Sequence, residues 1–120
     1  MEKQISVVKY ENSMLPGFRN KINLAESTED VKKFFIQAIR ELLVNIFQDD
    51  RYQDFDAIKL LPEKEPFFEL NNAMGISDAF SQMWKNSDLQ HVLRRLAETA
   101  AHRYRHLKKK PEKTESKIRN

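Results

Sequence analysis

Residues 27–48 read STEDVKKFFIQAIRELLVNIFQ and predict the helix around which the chain folds. Ser27 can cap the first turn, and the acids that follow lie where the helix dipole favours negative charge. At about 100° per residue the apolar side chains cover roughly 220° of the circumference, which is more than a surface helix needs. The pattern predicts a central helix, or one that also meets a second copy in a homodimer through Ile36, Leu43 and Phe47.

Three short helices are predicted between residues 49 and 86. The first ends at Pro62, the second runs from Pro66 to Gly75, and Ser77 caps the third. Their apolar residues recur at helical spacing. They are Tyr52, Phe55 and Ile58 in the first helix, Phe67, Leu70 and Met74 in the second, and Phe80, Met83 and Trp84 in the third.

A long final helix follows, opened by the capping box Ser87-Asp88-Leu89-Gln90 and extending to about Lys109. Its apolar residues fall within a stripe roughly 120° wide, which predicts the buried face. That stripe comprises Leu89, Val92, Leu93, Leu96, Ala100, Tyr104 and Leu107.

The two ends of the chain are less regular. Residues 1–26 are expected to form a short strand or an irregular arm before the breaker Leu15-Pro16-Gly17. Residues 111–120 have Ile118 as their one aliphatic residue and are predicted to be a disordered tail. We therefore expect an all-α fold, a compact bundle of about five helices that forms a single domain over residues 1–110.

Composition argues against several classes of function. The chain has no Cys and only two Gly, which excludes thiolate chemistry and Gly-rich phosphate loops. No stretch approaches the roughly 20 apolar residues that cross a bilayer, and no secretory signal is visible, so we expect a cytoplasmic protein without membrane contact. No catalytic, cofactor or metal motif stands out. We expect a protein that is not an enzyme.

Positive charge is concentrated at the C-terminal end of the chain. From Arg94 to Asn120 there are ten Lys and Arg residues against three acids, whereas residues 1–93 carry eleven bases and fifteen acids. On the final helix the face opposite the apolar stripe is basic, and we take it as the candidate surface for a protein partner or for nucleic acid. Its members are His91, Arg94, Arg95, His102, Arg105, His106 and Lys109.

This basic face has two interpretations. Charged residues cover the solvated side of most surface helices, and bases near a helix C-terminus are favoured by the dipole. Alternatively, the face tracks an anionic partner. The aromatic residues on both sides of Gly75 likewise predict either a partner-binding groove or a tightly packed corner. Our leading hypothesis is protein–protein interaction, and the alternative is a nucleic-acid-associated protein that uses the basic helix and tail.

Overall fold

The computed structural model describes residues 5–70 and 78–119, with side chains up to residue 109. Within these ranges the fold is mostly helical, with four α-helices, a single 3-10 turn and a small antiparallel sheet. The elements are α1 (Val8–Leu24), α2 (Thr28–Phe47), the 3-10 turn (Asp50–Asp54), β1 (Ile58–Leu60), β2 (Phe68–Leu70), α3 (Asp78–Asn86) and α4 (Leu89–Arg119). The predicted all-α bundle of about five helices is therefore correct in its main class and wrong in the region between residues 50 and 70.

Helix α2 is the central helix that the sequence predicted. Its first turn is capped from both sides, because Ser27 Oγ accepts a hydrogen bond from the Asp30 amide and the Asp30 carboxylate accepts one from the Glu26 amide. The helix ends at Gln48, whose φ of 54° is left-handed and stops the helical hydrogen bonding.

The wide apolar arc of α2 is covered within the same chain. Leu43 is fully buried, and the ring of Phe47 stacks on Tyr52 at 4.8 Å and lies 6.1 Å from Phe80. Ile36 is half-buried against the core. Leu43 of the expected dimer flank is thus packed within the chain, whereas Ile36 and Phe47 are only half-buried, and the homodimer stays a prediction.

The N-terminal region is a helix, where the sequence predicted a strand or an arm. Val7, Met14, Phe18 and Ile22 are buried at helical spacing, which gives α1 an apolar stripe to pack against α2 and α4. Proline has no amide hydrogen, so the carbonyl one turn earlier in the helix lacks its usual partner. Because Pro16 is on the exposed side, water can solvate that carbonyl. The breaker Leu15-Pro16-Gly17 is tolerated for this reason.

Residues 50–70 were predicted as helical segments, and the structure shows a 3-10 turn and a hairpin instead. Ile58 pairs with Leu70 and Leu60 with Phe68 in β1 and β2. These apolar residues recur every second position and lie on one buried face, which is the period of a strand. Pro66 therefore belongs to the loop between the strands. The helix end expected at Gly75 and the cap expected at Ser77 lie outside the described residues.

Helices α3 and α4 agree with the sequence in position and in buried face. Phe80 of α3 is buried, and the predicted stripe of α4 is buried from Leu89 to Ala100, with Tyr104 and Leu107 half-buried. The backbone of α4 continues to Arg119, past the end predicted near Lys109. Nothing is described of its side chains beyond Lys109, and disorder of residues 111–120 stays a prediction.

The start of α4 differs from the predicted capping box. Ser87 Oγ accepts a hydrogen bond from the Leu89 amide, and Asp88 turns its carboxylate toward the amide of Val7 at 2.8 Å and the hydroxyl of Ser6 at 3.0 Å. Ile5 adds backbone bonds to Asn86 and Asp88. The beginning of α4 thus holds the beginning of α1.

The three long helices have a defined order of packing. Helix α1 runs parallel to α4, because Glu11 meets Arg95 and Ala25 meets Arg103 further along both helices. Helix α2 runs in the opposite direction, since Lys32 near its start lies over the ring of Tyr104 late in α4. The hairpin also packs on α4, where Arg105 meets Pro62, whereas Arg95 meets α1. No helix in the described part of the chain is both long enough and apolar enough to cross a membrane.

Candidate functional site

The basic residues of α4 divide among three sides of the helix. One side faces α1, a second faces the hairpin loop between Leu61 and Phe67, and the third faces solvent. We call these the α1 side, the loop side and the outer side of α4. The sequence had placed seven of the basic residues on one continuous face.

On the α1 side, Arg95 is held by a buried acid. Its guanidinium donates to both carboxylate oxygens of Glu11, at 2.7 and 3.0 Å, and the Glu11 side chain is only 5% exposed. This two-pronged bond raises the pKa of Arg95, although partial burial acts in the opposite direction. Arg103 lies further along the same side and donates to the Ala25 carbonyl at the end of α1. Arg95 therefore joins two helices within the protein.

The same junction fixes the charge of Asp88. Burial opposes its ionisation, but the Val7 amide and the Ser6 hydroxyl donate to its carboxylate, and Arg95 is nearby, so the pKa of Asp88 lies below its usual value. The ionised Asp88 carboxylate therefore anchors the residues that precede α1 at the start of α4.

On the loop side, three basic residues meet groups of the hairpin. Arg105 donates to the Pro62 carbonyl at 2.8 Å and its guanidinium lies 5.6 Å from the ring centre of Phe67. Lys108 lies 3.4 Å from Glu63, and Arg94 lies 3.7 Å from Glu65. The loop therefore neutralises part of the predicted basic face.

On the outer side, His91, His102 and Lys109 are exposed, and so is His106. His102 and His106 are one turn apart, but no group of three His, Asp or Glu side chains able to share a metal ion occurs in the described ranges. Of the seven predicted site residues, Arg94, Arg95 and Arg105 thus meet hydrogen-bonding or charged groups of α1 and the hairpin, and the four outer residues lie along the exposed side of α4.

Sequence reasoning missed the acids of the hairpin loop. Nothing in the local sequence shows that Glu63 and Glu65 lie beside α4. Two prolines, Pro62 and Pro66, bracket them and are the one signal of a loop rather than a helix. The loop lies beside α4 because β1 pairs with β2, and this pairing is a tertiary contact that the local sequence does not show.

A cleft of about 340 Å³ opens beside this loop, between β2, α3 and the first turns of α4. Half-buried Trp84 and Leu70 give it an apolar wall, and exposed His91 and Arg94 give it a polar rim. The residues described as lining it are Pro66, Phe68, Leu70, Trp84, Gln90, His91 and Arg94, and none of them is an acid. We call it the Trp84 cleft.

Two of the four aromatic residues that flank Gly75 are buried in the core. Phe80 lies 5.9 Å from Phe55 and 5.9 Å from Trp84, and Phe68 meets Trp84 edge to face at 6.3 Å. Phe68 and Phe80 are buried. A packed corner therefore explains these two rings, while Trp84 serves both the corner and the wall of the cleft.

Two other depressions have a different character. One of about 330 Å³ lies on α2 beside Arg40 and Gln53, and one of about 210 Å³ lies between α1 and α2 beside Lys21 and Phe34. Arg40 is already bonded to the Phe55 carbonyl at 2.7 Å. The Trp84 cleft is the one of the three that is lined by Trp and by a cation of the predicted site.

Comparison with known proteins gave no relative from which a role could be inferred, because the chain matches no family model, no curated protein and no solved structure. The geometry of α4, the hairpin loop and the Trp84 cleft is therefore the basis for assigning a role.

Proposed function

We propose that this chain is a non-enzymatic cytoplasmic protein that acts by binding another protein at the Trp84 cleft. One observation carries the proposal: an aromatic and aliphatic wall stands open to solvent directly beside Arg94. Trp and Arg are the residue types that contribute most of the energy in protein interfaces. A cleft that offers both, on rigid helical supports, suits a protein partner.

The distribution of charge supports a protein over a polyanion. Phosphate binding draws on many free cations along a continuous track. Arg95 is committed to Glu11, and Arg105 to the carbonyl of Pro62. Lys108 and Arg94 lie beside acids of the loop. Fewer cations are free than the sequence alone suggests.

Nucleic acid remains the second candidate, and the net charge of the C-terminal region favours it. The chain carries ten Lys and Arg residues between Arg94 and Asn120 against three acids, and Lys109 is exposed at the point where the tail begins. Binding of this kind would weaken steeply with salt, with a slope in log affinity of about −0.9 per phosphate contact on duplex DNA.

Photo-crosslinking from the rim of the cleft tests the proposal. Gln90 is exposed and lines the cleft, so a benzophenone amino acid at this position should trap a discrete protein in the native cell. The same probe at Asn20, exposed on α1 on the other side of α4, is the matched control. The product should resist nuclease and should weaken when Arg94→Glu is added.

Each other result has a defined meaning. Equal trapping from both positions would refute a specific site. A product that disappears on nuclease treatment would favour the nucleic-acid alternative. A product of twice the chain mass, made of this protein alone, would identify the partner as a second copy that binds at this cleft and not through the α2 flank.

A further inference from the structure

We propose that the Trp84 cleft recognises a peptide segment in which a carboxylate lies next to a bulky apolar side chain, with the carboxylate on Arg94 and the apolar group against Trp84. This inference rests on the proposed function and specifies the chemistry of the partner. Three features of the cleft lead to it.

The first feature is a carboxylate that already lies beside Arg94. Glu65 of the hairpin loop is 3.7 Å from the Arg94 guanidinium, and the two side chains are 70% and 53% exposed. So long and exposed a contact contributes little free energy, and a carboxylate from a partner could replace it at small cost. Arg94 can also donate two parallel hydrogen bonds to a partner carboxylate, which its contact with Glu65 does not provide.

The second feature is the apolar wall. Trp84 is fixed by its contacts with Phe80 and Phe68, at 5.9 and 6.3 Å, so little side-chain entropy would be lost when its open surface is covered. Leu70 and Pro66 continue this surface along β2. A bulky apolar side chain would remove this area from water.

The third feature is the sign of the charge. Arg94 is the charged residue at the rim, and no acid is among the residues described as lining the cleft. A basic segment would be repelled by Arg94, and only the carboxylate of Glu65 would offset that repulsion. The loop shows the complementary arrangement within the chain, because Glu65 and Phe67 place an acid and a ring on Arg94 and Arg105.

Glu65 therefore competes with a partner carboxylate for Arg94. Removing Glu65 and removing Arg94 should change the affinity for the peptide in opposite directions. The probe is a display library of random peptides about ten residues long, selected on the full chain. Enriched peptides should pair an Asp or Glu with an adjacent or nearby Phe, Trp, Leu or Ile. Their affinities are then measured by titration on the folded variants at low and high salt.

The three substituted residues are exposed, so the core stays intact in each variant. Glu65→Gln removes the competitor and should tighten binding by about two- to fivefold, the range expected for an exposed ion pair. Arg94→Gln should weaken it by about tenfold, because a charge-assisted bond is lost. Glu69→Gln is the matched control, since Glu69 is exposed on the same hairpin, and binding should be unchanged.

The outcomes distinguish an error in the peptide chemistry from an error in the proposed function. Three results would overturn this inference. The selected peptides could lack acids, the Arg94→Gln variant could bind them more tightly than the wild type, or Glu65→Gln and Glu69→Gln could change their affinity equally. A selective cross-link at Gln90 obtained together with any of those results would leave the proposed function standing with a different partner chemistry. Failure of the cross-link alongside acid-rich peptides would refute the cellular role and not the chemistry of the cleft.

Discussion

Replacing Arg95 by Gln tests whether the basic face of α4 is a surface or part of the core. From the sequence, this substitution should leave stability nearly unchanged, because Gln keeps helix propensity on an exposed face. The structure predicts the opposite. Without the guanidinium, the Glu11 carboxylate loses two bonds of 2.7 and 3.0 Å while its side chain remains 5% exposed.

The expected loss can be estimated from the geometry. Removing one partner of a fully buried ion pair costs about 3–5 kcal/mol, because the other charge is left without compensation. The Arg95 side chain is itself 50% exposed, so water can enter and solvate part of Glu11 after the substitution. We therefore expect a destabilisation of about 1.5–3 kcal/mol, below the buried limit and above the value for a surface pair.

Urea unfolding followed by circular dichroism measures this difference, with Arg94→Gln as the control. Arg94 lies one residue away on the loop side and contacts Glu65 at 3.7 Å, so its loss should cost no more than about 0.5 kcal/mol. The double variant Glu11→Gln, Arg95→Gln should recover part of the loss, because it leaves no buried charge. Equal stability of the two single variants would refute the structural role of Arg95.

Four further predictions concern the fold. Asp88→Asn should lower the free energy of unfolding at neutral pH. Because the pKa of Asp88 is lowered in the folded state, its contribution is present above the unfolded value of about 3.9 and is lost as the pH falls through the folded pKa. The difference between this variant and the wild type in urea titrations should therefore shrink in acid. Leu96 is fully buried, and Leu96→Asp should abolish cooperative thermal unfolding; a stable monomeric variant would show that the stripe of α4 is exposed. Deleting residues 111–120 should leave the thermal midpoint nearly unchanged, and a large drop would mean that this segment packs on the domain. If the homodimer exists, light scattering at micromolar concentration should give twice the chain mass, and a monomer mass would refute it.

The helices α2, α3 and α4 could be predicted from the sequence because each depends on local information. The cap at Ser27 and the spacing of Phe35, Ile39 and Leu42 act within a few turns of one helix, and the same holds for Leu89, Val92 and Leu96 of α4. Helix α1 was missed because Pro16 is a strong local signal, and only the packing of its neighbours shows that Pro16 lies on the exposed side. The hairpin was missed because short apolar runs fit either period.

The positive charge of α4 was visible in the sequence, but the use of that charge was not. Arg95 and Glu11 are separated by 84 positions, and Arg105 and Pro62 by 43, so no local pattern could pair them. A side chain's charge is a property of the residue, whereas its free or paired state depends on which elements the fold brings within a few ångströms. The periodicity of the chain thus set α2, α3 and α4 and their buried faces, and the packing of α1 and the hairpin on α4 decided which of the cations are paired within the chain.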